Sequence, residues 1–187
     1  MITQSLYVDT VTGLLHPAIY APSPHCDERP PAISIDMIVI HSISLPPGEF
    51  GSQAIEDFFC GKLDQVTHTY YPSIIHLRVS AHLLIKRNGG IIQFVPFIKR
   101  AWHAGESFFQ DRTRCNDFSI GIELEGVDDV PYEPLQYQQL TRVIYSLMQT
   151  YPEIKRERIV GHSDIAPGRK TDPGPAFDWS YINGIFL

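Results

Sequence analysis

Ser119-Ile120-Gly121-Ile122-Glu123-Leu124-Glu125 sets apolar Ile120, Ile122 and Leu124 at every second position, with Gly121, Glu123 and Glu125 between them. Successive side chains of a strand point to opposite faces, so this period of two predicts a β-strand with one face buried in apolar contacts. Glu123 and Glu125 then share the other face. Periodicity does not separate them, and each also reads as a solvated carboxylate on an exposed strand face, the commoner fate of Glu.

Further strands flank this one in the sequence. Ile35-Asp36-Met37-Ile38-Val39-Ile40 is a buried-strand run that ends at His41 and leads into the loop Leu45-Pro46-Pro47-Gly48. Ala81 to Lys86 and Ile91 to Val95 form a predicted hairpin joined through Asn88-Gly89, a strong turn signal. Ile159-Val160 reads as the end of another strand. Two helices are expected: one capped by Ser52, carrying Ile55, Phe58 and Phe59 and stopped by Gly61, and a longer one starting at Pro134 with Leu140, Ile144, Leu147 and Tyr151 on one face. Together these predict a mixed α/β fold, a central mixed β-sheet flanked by helices. Residues 62–80 read as a long loop, a candidate substrate lid or wall. Residues 1–31, with five prolines, read as an irregular arm packed on the domain with a short strand at Leu6 to Val8, leaving 32–187 as the domain proper.

The segment that concentrates reactive side chains is Gly161 to Trp179, GHSDIAPGRKTDPGPAFDW, which packs His162, Asp164, Arg169, Lys170 and Asp172 into a Gly/Pro-stiffened loop. It follows a strand end, as does the chain after His41, and sheet mouths are common places for sites. Two strand-end histidines and a loop aspartate suit a three-ligand zinc site that keeps a position for water. His41 and His162 are 121 residues apart with no metal-binding spacing to force them together, and each also reads as a hydrogen-bonded structural histidine. Asp172, before Pro-Gly-Pro, also fits turn chemistry. His82 is expected to be packed and hydrogen-bonded at the start of its strand. Trp102-His103 reads either as groove lining or as core.

These segments, with Ser23-Pro24-His25-Cys26, Val39-Ile40-His41, Val79 to Ile85, Trp102-His103-Ala104-Gly105, Ser119 to Gly126 and the loop after Gly161, resemble in order the AmpD family of zinc-dependent N-acetylmuramoyl-L-alanine amidases. The resemblance covers most of the chain. It implies the amidase and peptidoglycan-recognition fold, zinc held by His41, His162 and Asp172, and Glu123 and Lys170 as catalytic side chains. It also implies that Arg78, Arg114 and Ala166 contact a muropeptide, an anhydro-muramyl tri- or tetrapeptide. The residue after the first zinc histidine is usually Asn in the family but is Ser42 here, a shorter side chain with fewer hydrogen-bonding groups. Three other readings stay open: an amidase on intact peptidoglycan, a non-catalytic peptidoglycan-binding module, and a zinc peptidase cutting within the stem.

Composition sets the remaining bounds. With 187 residues and 43% hydrophobic composition the chain can bury a sizeable core. A net charge of −6 argues against electrostatic binding of nucleic acid or anionic membrane. No run approaches the roughly 18 apolar residues of a membrane span, and MITQSLYVDT lacks the features of a secretion signal. Cys26, Cys60 and Cys115 show no metal-binding spacing and suit reduced, buried thiols. The expectation is a cytosolic monomer.

Overall fold

Four parallel strands carry the apolar runs of the sequence into the middle of the molecule. A computed structural model describes residues 5–184. In chain order the strands are β1 (Tyr7–Asp9), β2 (Leu14–His16), β3 (Ile19–Tyr20), β4 (Cys26–Glu28), β5 (Met37–Ile43), β6 (Leu83–Ile85), β7 (Ile91–Gln93), β8 (Lys99–Ala101), β9 (Phe108–Phe109), β10 (Arg112–Thr113), β11 (Ser119–Glu125) and β12 (Ile159–Gly161). The helices are α1 (Ala54–Phe59), α2 (Pro134–Thr150), α3 (His162–Ile165) and α4 (Ser180–Asn183).

The main sheet has six strands in the order β12-β5-β11-β6-β7-β3. β12, β5, β11 and β6 run parallel, β7 is antiparallel to β6, and β3 pairs parallel with β7 at the edge. This is the mixed sheet expected from the sequence. The β6–β7 hairpin closes as predicted, with the Lys86 and Gly90 backbones bonded and Gly89 at φ +80°.

One expectation for β11 is corrected. All seven of its residues are buried, not only the apolar set. An interior parallel strand is covered on both sides, so its two faces differ in what covers them and not in whether they are wet. Ile120, Ile122 and Leu124 pack with Leu140, Val143, Ile144 and Leu147 of α2 in the main core cluster. The face bearing Gly121 and Glu123 instead meets buried polar groups. β5 also extends beyond its expected end, so His41 lies inside the strand and not at its tip.

The helices follow their sequence signals except at one cap. Gln53, not the expected Ser52, is the N-cap of α1 and makes no side-chain cap bond; Ser52 Oγ, one position earlier, accepts the N–H of Ala54 at 3.2 Å, and Gly61 adopts φ +68° just past the helix end. α2 begins at Pro134, with the Glu133 N–H donating to Gln136 Oε1 at 3.0 Å in a capping box. Along residues 62–80 a single 3₁₀ turn spans Tyr71–Ser73, and Tyr71 and Ile74 anchor the segment in a second apolar cluster with α1.

Residues 5–31 are more regular than their prolines suggest. β1 and β2 form a hairpin, β3 joins the main sheet, and β4 pairs with β8. The strand expected at Leu6 to Val8 is observed one residue later, at Tyr7–Asp9. Arg29 ties this segment inward, donating to the carbonyls of Phe97, Asn116, Asp117 and Ser119.

Candidate metal centre

Sheet register brings the first two site residues together. In the parallel β5–β11 pair His41 is the register partner of Glu123, and facing residues of neighbouring strands project to the same side. β12 lies on the other side of β5 and delivers His162 as the first residue of α3. The chain after Gly161 is therefore not all loop. A one-turn helix starts at His162, with Asp164 Oδ2 accepting the Gly161 N–H at 2.7 Å, and the loop proper follows it. That loop returns so that the Ser163 N–H donates to the Asp172 carbonyl at 3.0 Å, which holds Asp172 against the start of α3.

Three potential ligand atoms converge as a result. His41 Nδ1 lies 2.9 Å from His162 Nδ1, and Asp172 Oδ2 lies 3.3 Å and 3.1 Å from them. Both histidines are buried and Asp172 is 14% exposed by side chain. The far nitrogen of His162 faces the Ala104 carbonyl at 3.2 Å, and a carbonyl only accepts. His162 Nε2 therefore carries the proton, leaving the Nδ1 lone pair directed at the centre. Two imidazole nitrogens and a carboxylate oxygen fit a divalent metal such as zinc.

The electrostatics agree with a site built for a cation. Burial lowers the pKa of His41 to about 4, keeping the ring neutral as a ligand must be. Burial acts to raise the Asp172 pKa, but the His162 and His41 rings beside its carboxylate outweigh it and hold the group well below the ordinary carboxylate range. Glu123 is the reverse case: burial, then the charge of Asp172, push its pKa well above 4.5, with Lys170 opposing. Its Oε2 is buried without a hydrogen-bond partner. Buried polar atoms are rarely left so, and Glu123 lines the same cleft as the three potential ligands.

The cleft has a volume of about 320 Å³. Its polar lining is His41, His103, Glu123, His162, Lys170 and Asp172, and its walls include Phe58, Tyr70, Ile74, Leu77, Val79 and Trp102. Residues 62–80 thus supply one wall, and both Trp102 and His103 line the groove. Lys170 is exposed at the mouth, carried by a turn in which its N–H donates to the Ala166 carbonyl at 3.0 Å.

The remaining predicted residues are not gathered into this cleft. Ser42 borders it, but its hydroxyl is directed to Asp128 Oδ1 at 3.5 Å. Arg78 is exposed on the rim between Leu77 and Val79. Arg114, 69% exposed by side chain and paired with Asp117 at 3.4 Å, lines a neighbouring hollow of about 460 Å³ together with Ala166. Arg169, which borders that hollow, donates to the carbonyls of Ala104 and Glu106, both at 2.6 Å. Residue-by-residue reading did not single out Asn116, whose Oδ1 accepts the N–H groups of His103 at 3.1 Å and Ala104 at 2.8 Å. The 12–13 residues between them carry no local signal for that contact.

Comparison with known proteins places this geometry in context. The model of the Amidase_2 family, described as N-acetylmuramoyl-L-alanine amidase, matches residues 31–175. The chain is 56% identical over 168 residues to the 1,6-anhydro-N-acetylmuramyl-L-alanine amidase AmpD of Escherichia coli (strain K12), covering 90% of this chain and 91% of that protein. A crystal structure of a selenomethionine AmpD derivative matches with a TM-score of 0.91 at 53% identity, over 95% of this chain and 98% of that one. The amidase AmiD of E. coli, solved with the substrate anhydro-N-acetylmuramic acid-L-Ala-D-γ-Glu-L-Lys, matches with a TM-score of 0.59 at 30% identity, over 99% of this chain and 67% of that one.

Proposed function

Since this chain belongs to the N-acetylmuramoyl-L-alanine amidase family, we propose that it hydrolyses the amide between the lactyl group of 1,6-anhydro-N-acetylmuramic acid and the L-alanine of its stem peptide, in cytosolic recycling of peptidoglycan fragments. The observation that carries the reading is the convergence of His41 Nδ1, His162 Nδ1 and Asp172 Oδ2 beside the unpartnered Oε2 of Glu123. Burying a carboxylate oxygen without a hydrogen bond costs stability, and proton transfer supplies a function for it that a peptidoglycan-binding module would not need.

Zinc is the metal assigned to His41, His162 and Asp172. When bound it supplies Lewis acidity, which lowers the pKa of water toward about 7 and polarises an amide carbonyl. The chain's own groups do the rest. Glu123 takes the proton of the attacking water on its carboxylate and passes it to the departing nitrogen of L-alanine, which then leaves as an amine. A carboxyl whose pKa is raised by burial is suited to both halves of that transfer. Lys170, at the mouth, places positive charge beside the developing oxyanion. Phe58, Tyr70 and Trp102 hold the substrate and limit water.

Arg78, Arg114, Ala166 and Ser42 are assigned to substrate binding, the arginines facing the carboxylates of the peptide stem. We assign the amidase domain to residues 32–187, with 1–31 as an arm packed on it, and take the protein to act as a monomer. The free thiols Cys26, Cys60 and Cys115 suit a reducing compartment. Among the described residues no helix is long and apolar enough to cross a membrane.

Mass spectrometry of products from an equal mixture of anhydro-muramyl and reducing-end muramyl tripeptide tests the proposal. Free tripeptide from the anhydro substrate alone, abolished by a chelator, is the expected result. Cleavage of both substrates would broaden the activity to intact peptidoglycan, cuts within the stem would indicate a peptidase, and no cleavage by metal-loaded protein would indicate a binding module.

A further inference from the structure

Beside His41, from the cleft wall into the interior, runs a chain of polar groups that the reaction itself does not use. His41 Nε2 lies 2.9 Å from His103 Nδ1, His103 Nε2 lies 3.1 Å from Ser119 Oγ, and Ser119 Oγ lies 2.6 Å from the Cys115 carbonyl. His41 and Ser119 are at most 1% exposed, and among the described residues no carboxylate pairs with His103, whose ring nitrogens meet only His41 and Ser119, so that ring is neutral. The last member dictates the direction of the whole chain. A carbonyl only accepts, so the Ser119 hydroxyl proton is committed to Cys115. Ser119 Oγ then accepts from His103 Nε2–H, the neutral His103 presents a bare Nδ1, and His41 donates from Nε2.

We propose that His103, oriented by Ser119, is a positioning residue that locks His41 into the tautomer whose Nδ1 lone pair faces His162 and Asp172. The inference rests on the metal-site reading above and deepens it. His162 receives the equivalent treatment from the adjacent residue, through the Ala104 carbonyl, and Asn116 clamps the N–H groups of both His103 and Ala104. One dipeptide held by one side chain thus sets the tautomer of both histidine ligands. Gly121 is part of the arrangement, because a Cβ there would lie 2.4 Å from His103 Cγ. Groups that hydrogen-bond the far nitrogen of a ligating histidine commonly contribute 10- to 100-fold to metal affinity.

Two measurements test it. Zinc affinity by chelator competition should fall about 10- to 100-fold in His103→Phe, which cannot accept from His41. Affinity should recover most of that loss in His103→Asn, whose amide oxygen can accept in place of Nδ1, with circular dichroism confirming that both variants are folded. ¹⁵N NMR of the imidazoles in metal-free wild-type protein should show His41 protonated at Nε2. His103→Phe that is folded and binds zinc as wild type does, or His41 protonated at Nδ1, would overturn the proposal. Should wild-type protein bind no zinc, the metal-site reading fails, and the NMR result still decides whether the lock exists.

Discussion

Glu123 and His41 are register partners across the parallel β5–β11 pair, so a buried carboxylate and an imidazole of the candidate metal centre leave the same face of the sheet side by side. This relationship belongs to two rigid interior strands and not to loops, which is how a site is held to the tolerance that catalysis needs.

Glu123→Gln keeps the shape of the side chain and removes its basicity. Turnover should fall about 10²- to 10⁴-fold, the usual contribution of a general acid–base group, while bound zinc is retained. Steady-state kinetics beside metal analysis check this, and a glutamine variant with near-wild-type kcat would remove Glu123 from the proton path.

Lys170→Met should lower kcat by about 10²- to 10³-fold if the ammonium stabilises the oxyanion, with KM changing little because that charge interaction forms in the transition state. A rise in KM with kcat unchanged would move Lys170 from catalysis to substrate binding.

Gly121→Ala inserts a methyl group where His103 already sits, at 2.4 Å from its Cγ. Overpacking of this kind costs about 1–3 kcal/mol. Denaturant unfolding should show a lower midpoint with unchanged slope, and an unshifted midpoint would contradict the described packing.

The pH dependence of stability follows from the buried imidazoles. Folded-state pKa values of His41, His82 and His103 are all depressed by burial below 6.5, His41 to about 4. Between those values and 6.5 the unfolded chain binds the extra protons, so stability is full above about pH 6.5 and is lost as pH falls toward 4. Glu123 acts in the opposite sense, since its raised pKa lets the folded state hold one more proton in part of that window, but three groups oppose it. Thermal unfolding of chelator-treated protein from pH 8 to pH 4 should show a falling melting temperature below pH 6.5; a flat or rising one would contradict neutral buried histidines.

How much of this was readable in the sequence is clearest from the two glutamates of β11. Alternation put Glu123 and Glu125 on one face but could not rank them. The structure ranks them by their hydrogen-bond partners: Glu125 accepts the backbone N–H groups of Gly51 and Arg87, whereas Glu123, which lines the cleft, keeps a buried oxygen without a partner. Those donors are 74 and 38 residues away, beyond any local pattern. Expecting a wet face failed for the same reason, because burial of a strand face depends on what packs over it. The strands, the hairpin and α2 were legible because their signals are local: period-two and helical apolar spacing, Asn88-Gly89 and Pro134. The support for the ligands was not, because His41, His103, Asn116 and Ser119 meet only once the sheet is assembled.

The most direct test is zinc content and turnover measured on the same preparations of wild-type, Asp172→Ala and Glu123→Gln protein. One zinc per chain in wild type and Glu123→Gln, none in Asp172→Ala, and turnover in wild type alone is the predicted result. Metal-free Asp172→Ala protein that still releases the stem peptide would contradict the assignment of the site.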